Sequence, residues 1–246
     1  MQKIEVVVLA AGYGKRMQSE VPKVLIPLHG KPLLGHVLDA VTASGVCDHP
    51  VVVVGQRREL VMETFGPAYR YVTQEEQLGT GHAVLSTAPM LEGKTEHIMV
   101  LYGDQPFTSP ETVRTMAEYH MSHGGAMTMA TVALPDFEGW RKAFYSFGRI
   151  VRDAQGKLSK ILYGKNLTEA ELAITEVDPA YFCFRADWLW PRLRSLKNEN
   201  SHAEYYLTDL VGIAAKEGTV IETIQIPAEE ALGANSKEDL AILQEL

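Results

Sequence analysis

Apolar residues fall along this chain in two kinds of run. Short, predominantly apolar runs at residues 4–9, 51–54 and 97–101, the first two rich in β-branched residues, predict buried strands, as in a parallel sheet. Between the first two, Leu34, Val37, Leu38 and Val41 recur at helical spacing. Pro32 opens that predicted helix and Gly45 ends it. Strand, helix and strand in this order predict a right-handed βαβ unit.

Further along, residues 57–65 predict a surface helix, 69–72 a short strand, and Gly79-Thr80-Gly81-His82 the entrance of a helix reaching about residue 90. Thr108 or Ser109, followed by Pro110, caps a predicted helix to residue 123, and 126–133 read as a strand. Then the pattern changes. Short strands at 145–152, 158–163 and 181–184, with turns at Asp153-Ala154-Gln155-Gly156 and Asp178-Pro179, predict an antiparallel lobe over roughly 137–185. A helix over 200–216, a strand over 220–226 and a terminal helix complete the pattern, the last with Ser236 and Asp239 spaced as a capping box. The expectation is one α/β domain over residues 1–246: a Rossmann-like, mostly parallel sheet with helices on both faces, plus the small lobe as second wall of a cleft.

The 246 residues carry 23 Lys and Arg against 31 Asp and Glu, a net charge of -8. That balance argues against a general nucleic-acid or anionic-membrane surface, since both select excess positive charge. No stretch nears the roughly eighteen apolar residues of a membrane span, and nothing resembles a targeting segment, so the expected location is cytoplasmic. Cys47 and Cys183 show no metal or redox spacing.

One stretch departs from the overall charge. Between residues 10 and 35 stand Lys15, Arg16, Lys23 and Lys31 against the single acid Glu20. They follow a loop in which Ala10, Ala11, Gly12 and Gly14 leave backbone N–H groups open to a ligand. A bound polyphosphate accounts for this reversal; an ordinary strand-to-loop turn with solvated lysines accounts for the composition equally well. The loop is not a dinucleotide fingerprint, because Met17 stands where the third glycine belongs. Nor is it a P-loop, because no Gly-Lys pair has a glycine five residues earlier. Asp104, beyond the carboxyl end of the 97–101 strand, sits where open α/β sheets bind ligands, or simply caps a turn.

Leu9-Ala10-Ala11-Gly12-Tyr13-Gly14-Lys15-Arg16-Met17 followed by Pro22-Lys23-Val24-Leu25 resembles the signature of the sugar nucleotidyltransferases. Within them it is most similar to the uridylyltransferase domains of bacterial bifunctional UDP-N-acetylglucosamine pyrophosphorylases. Gln74 to Ala83, Gly103-Asp104-Gln105-Pro106, Gly148 to Val151, Glu204 to Asp209 and Gly233 to Asn235 extend the resemblance over essentially the whole chain. The resemblance implies a Mg²⁺-dependent transfer between UTP and a sugar-1-phosphate. Arg16 and Lys23 would be catalytic, contacting phosphates; Leu9, Ala10, Ala11, Gly12, Gly14, Gln74, Gly79 and Thr80 would bind the nucleotide; Asp104 and Asn235 would hold Mg²⁺. His82 is expected to position its loop, and the Glu204 to Asp209 stretch to be structural. The bifunctional relatives continue into an acetyltransferase domain that lies outside this sequence, so either a stand-alone transferase or a fragment is expected.

The sugar half of the pattern differs. Gly148 is present, but Tyr163 stands where the family has a sugar-contacting Glu, and Asp178 where it has an Asn. N-acetylglucosamine-1-phosphate is therefore not the expected best acceptor. Another base or a non-sugar acceptor, and a nucleotide-sugar-binding regulator without turnover, are the competing readings.

Overall fold

The computed structural model describes residues 4–12, 14, 21–164, 167–200 and 202–246. The amino-terminal half contains β1 (Ile4–Ala10), β2 (Pro27–Leu28), β3 (Lys31–Pro32), α1 (Leu33–Ser44), β4 (Val51–Val54), α2 (Arg58–Phe65), β5 (Arg70–Thr73), α3 (Thr80–Leu85), α4 (Ala88–Leu91), β6 (His97–Tyr102) and α5 (Pro110–His123). The remainder contains β7 (Met127–Ala133), β8 (Gly148–Arg152), β9 (Leu158–Leu162), α6 (Glu169–Leu172), β10 (Glu176–Asp178), β11 (Phe182–Arg185), α7 (Ala186–Ser195), α8 (Asp209–Lys216), β12 (Ile221–Gln225) and α9 (Lys237–Glu245).

The main sheet runs β5-β4-β1-β6-β11-β7 with β12 beside β7, every pair parallel except those made by β11. The runs at 4–9, 51–54 and 97–101 are predominantly apolar because both faces are covered. Val6, Val8 and Ala10 of β1 pack with α1 and α5, while Val7 and Leu9 face the layer of α3, α7 and α8. Burying each such side chain is worth about 1.5–3 kcal/mol, so the alternation fixes β1 in the middle of three layers.

β10 and β11 lie along the same side of β7, both antiparallel to it. Between them Asp178-Pro179-Ala180 bulges out, with Ala180 in the left-handed region at φ 66°. The bulge turns β10 away from the main sheet to pair with β8, and β8 with β9, as a three-stranded antiparallel wing.

Several expected elements shift. Residues 145–147 are not strand: Gly139–Ser146 is a 3-10 turn, held because the buried Arg149 guanidinium donates to the carbonyls of Phe144, Tyr145 and Phe147. The 181–184 run, expected in the lobe, is β11 of the main sheet. The helix expected from residue 200 begins at Asp209, and the one expected from Gly79 to about residue 90 is split into α3 and α4. Pro32 is the residue before α1 rather than its first. Ser236 Oγ accepts from the Asp239 N–H as expected, but the Asp239 carboxylate accepts from Asn235 N–H, so the box is not reciprocal.

Candidate active site

The carboxyl ends of β1 and β6 open onto two adjoining cavities. The first, of about 420 Å³, is lined by Leu9, Ala11, Gly12, Gly14 and Lys23 on one side and by Gln74, Gln77, Gly79, Thr80 and Glu204 on the other. The second, of about 280 Å³, lies toward the wing and is lined by Ser146, Phe147, Gly148, Tyr163, Asp178 and Thr208. Tyr102, Asp104 and Asn235 line both. A larger cavity of about 770 Å³, among Ile4, Glu5, Cys47, Arg70 and Arg114, holds none of the residues singled out from sequence.

The shared wall is assembled by backbone. Gly103 N–H donates to Leu9 O at 2.9 Å, carrying the β1–β6 pairing one residue past the strands and placing Asp104 above them. Ala234 N–H donates to Asp104 O at 3.0 Å, which brings Asn235 alongside. Lys23, opening a 3-10 turn after Pro22, donates from Nζ to Asp104 Oδ2 and, at 3.1 Å, to Asn235 Oδ1. Two hard oxygens thus converge on one cationic position, the arrangement a Mg²⁺ ion with two protein ligands requires. Among the described residues no group of three or more His, Cys, Asp or Glu forms a fuller cage.

In the first cavity Gln74 is buried. Its Nε2 donates to Gly79 O at 2.9 Å and to His82 Nδ1 at 3.1 Å, so the amide hydrogens serve the loop and Oε1 remains for a ligand. His82 accordingly positions this loop. The loop is backed by residues 204–208: Tyr205 N–H donates to Leu78 O, Gly81 N–H to Tyr205 O, and Leu207 N–H to Thr80 Oγ1. These pairings explain why residues before Asp209 are not helical. Gly79 adopts φ 103°, and a Cβ there would stand 2.6 Å from Tyr205 O, so only glycine fits.

In the second cavity Tyr163, half exposed, donates its hydroxyl to Asp178 Oδ2. Ala180 N–H donates to Asp178 Oδ1 at 2.7 Å, an Asx turn within the bulge. Burial pushes the Asp178 carboxyl up to about 6 against these two bonds, and burial with the neighbouring carboxylate raises the Tyr163 phenol. The Tyr163 ring lies on Gly148, where a Cβ would meet ring atom Cε1 at 2.4 Å.

Of the sequence candidates, Ala10 is buried behind the loop and lines neither cavity. Arg16 lies outside the described residues. Sequence reasoning gave Tyr102, Gln105 and Gln77 no role and read Glu204 and Thr208, within the 204–209 stretch, as structural, whereas Glu204 lines the first cavity and Thr208 the second. Gln77, inside the quoted Gln74 to Ala83 stretch, donates to Ala11 O and ties the two walls together.

Similarity to known proteins agrees with this geometry. Residues 6–208 match the MobA-like NTP transferase domain. The chain is 42% identical over 242 residues to the "Bifunctional protein GlmU" of Brevibacillus brevis, covering 98% of this chain and 51% of that protein. It is 41% identical over 245 residues to the protein of that name from Paraburkholderia phytofirmans, covering 99% and 52%. The chain thus spans about half the length of these relatives. Among solved structures, a UDP-glucose pyrophosphorylase complexed with UDP-glucose superposes with a TM-score of 0.78 at 18% identity, covering 100% of this chain and 98% of that one. A putative glucose-1-phosphate thymidylyltransferase from Bacillus anthracis gives 0.77 at 14% identity, covering 98% and 94%. By fold and by sequence, this chain belongs to the MobA-like NTP transferase family.

Proposed function

We propose that this chain transfers a uridylyl group from UTP to a sugar-1-phosphate and releases pyrophosphate. The observation that carries this reading is that Asp104 and Asn235, on the wall common to both cavities, are bridged by the Lys23 ammonium from the first cavity. A nucleoside in the first cavity and a sugar in the second bring their phosphates together at that wall.

An acceptor phosphate oxygen attacks the α-phosphorus, forming a P–O bond, and the α–β anhydride bond breaks with pyrophosphate leaving in line. A phosphate monoester loses its second proton near pH 6, so the nucleophile is anionic at neutral pH and the site needs no general base. The chain's contribution is positioning and charge neutralisation. Lys23 neutralises the phosphates being joined; Arg16 is assigned the departing pyrophosphate by resemblance alone. Asp104 and Asn235 would hold Mg²⁺, which when bound offsets phosphate charge.

Gln74 Oε1 supports the choice of base. As an acceptor it suits the N3–H of uracil and not the unprotonated N3 of cytosine. Thymine presents the same N3–H, which makes thymidylyl transfer the second reading. Pyrophosphate release with UTP, dTTP, CTP, GTP and ATP against several sugar-1-phosphates, with and without Mg²⁺, tests both. Release with UTP alone supports the first reading, preference for dTTP the second, and preference for CTP removes the assignment of Gln74.

A further inference from the structure

The far end of the second cavity has a chemistry of its own. Its wall carries the Asp178 carboxylate, 4% exposed, and no lysine or arginine among the described residues that line it. Each carboxylate oxygen already accepts one hydrogen bond, Oδ1 from Ala180 N–H and Oδ2 from the Tyr163 hydroxyl. Each keeps further lone-pair capacity. The two residues form one unit: the Tyr163 ring is pressed on Gly148, its hydroxyl is committed to Asp178, and the bulge after β10 holds the carboxylate in place. Ser146 and Thr208 contribute the remaining side-chain hydroxyls.

From this wall we infer that the acceptor is a neutral sugar-1-phosphate whose unsubstituted hydroxyls donate to Asp178, and that the Asp178 carboxylate excludes acidic and N-acetylated sugars. The inference rests on the sugar-1-phosphate reading above. A hydroxyl supplies the donor that a buried carboxylate needs. An acidic substituent brings like charge against Asp178, with no lysine or arginine among the described residues that line this cavity, and like charge at a buried carboxylate is strongly unfavourable. An acetamido group brings added bulk and a carbonyl acceptor into a cavity of about 280 Å³, where the Tyr163 phenol is already engaged with Asp178.

The test is calorimetric binding of glucose-1-phosphate, N-acetylglucosamine-1-phosphate and glucuronic acid-1-phosphate, with a non-cleavable α,β-methylene UTP analogue and Mg²⁺ present. Glucose-1-phosphate is expected to bind at least about tenfold more tightly than either derivative. Asp178→Asn should remove at least about fivefold of the discrimination against the uronate. Tyr163→Phe, at a half-exposed position, keeps the ring and the carboxylate and should preserve that discrimination whatever the fate of the Asn variant. Binding of either derivative within about threefold of glucose-1-phosphate overturns the inference, as does loss of uronate discrimination in Tyr163→Phe. The expected binding order without pyrophosphate release from UTP would support the subsite and overturn the proposed transfer instead.

Discussion

The ammonium of Lys23 lies between Asp104 Oδ2 and Asn235 Oδ1, joining residues 81 and 212 positions away along the chain. On the proposed function, this puts the charge of Lys23 beside the wall where the two substrates' phosphates would meet. Lys31, in the same basic stretch, pairs with Asp39 on the surface, and both side chains are more than one-third exposed. Lys23→Ala should therefore lower kcat/KM at least about hundredfold, the size typical of losing one transition-state charge stabiliser. Lys31→Ala should stay within about twofold, as exposed pairs contribute little. Steady-state pyrophosphate release compares them, and equal small losses would return the cluster to a solvated surface role.

Asp104→Asn and Asn235→Ala should each abolish most Mg²⁺-dependent turnover, and excess EDTA should do the same to the unmodified protein. Asp104 is 8% exposed and ion-paired with Lys23. Asp104→Asn is accordingly expected to destabilise the fold by about 1–3 kcal/mol, the cost of weakening a buried charged hydrogen bond. Turnover against Mg²⁺ concentration and urea melts of the same samples separate the two effects. Full activity in EDTA would sink the metal assignment.

Gln74→Ala removes both the loop contact to Gly79 and the oxygen offered to the base. KM for UTP should rise roughly tenfold, as expected for about one hydrogen bond of discrimination, and the preference over CTP should narrow. Unchanged KM values for both nucleotides would place the base elsewhere.

Arg149 is 1% exposed, has three backbone carbonyls as acceptors, and lies 4.5 Å from the Phe137 ring centroid and 5.4 Å from that of Tyr145. Arg149→Met leaves those carbonyls without their donor and should cost on the order of 2–4 kcal/mol. Because Ser146 and Phe147 line the second cavity, where the proposed function places the sugar, KM for the sugar-1-phosphate should rise more than KM for UTP. Denaturant titration with paired KM measurements checks both parts.

His97 Nδ1 and His120 Nε2 are 3.0 Å apart in the core, and His120 Nδ1 meets Thr128 Oγ1 at 2.8 Å. Burial, with the neighbouring His97, lowers the His120 value from 6.5 to about 4, and burial lowers that of His97 too. A depressed histidine favours its neutral form in the fold, so the unfolded chain binds more protons between about pH 4 and 6.5. Stability should be full above pH 6.5 and fall as pH drops toward 4, by on the order of 3 kcal/mol from His120. Denaturant melts across that range should show the slope in the unmodified protein and a shallower one in His120→Asn. A flat profile in both would refute the assignment.

Residues 51–54, strand throughout and buried on both faces, were legible without coordinates because continuous burial leaves an unbroken apolar run. The start of helix α5 was legible because a cap and Pro110 are local devices, and of the two cap candidates Ser109 accepts from the Thr112 N–H. Glycine loop, Gln74 stretch and Asp104 were readable as a candidate site because small residues and an acid stand beyond strand ends, and the fold gathers them around one cavity.

Only the tertiary structure decided the rest, since each remaining feature depends on a partner distant in sequence. The 181–184 run looks the same in a wing or a central sheet; pairing with β6 and β7 settles it. Residues 204–208 have helical spacing, yet their backbone groups find better partners in the 78–81 loop. The Tyr163–Asp178 bond exists because a bulge beside β7 turns β10 toward the end of β9. Sequence periodicity records which face of an element is dry; which chain segment dries it, and which side chains then meet, is set by long-range register that no local pattern encodes.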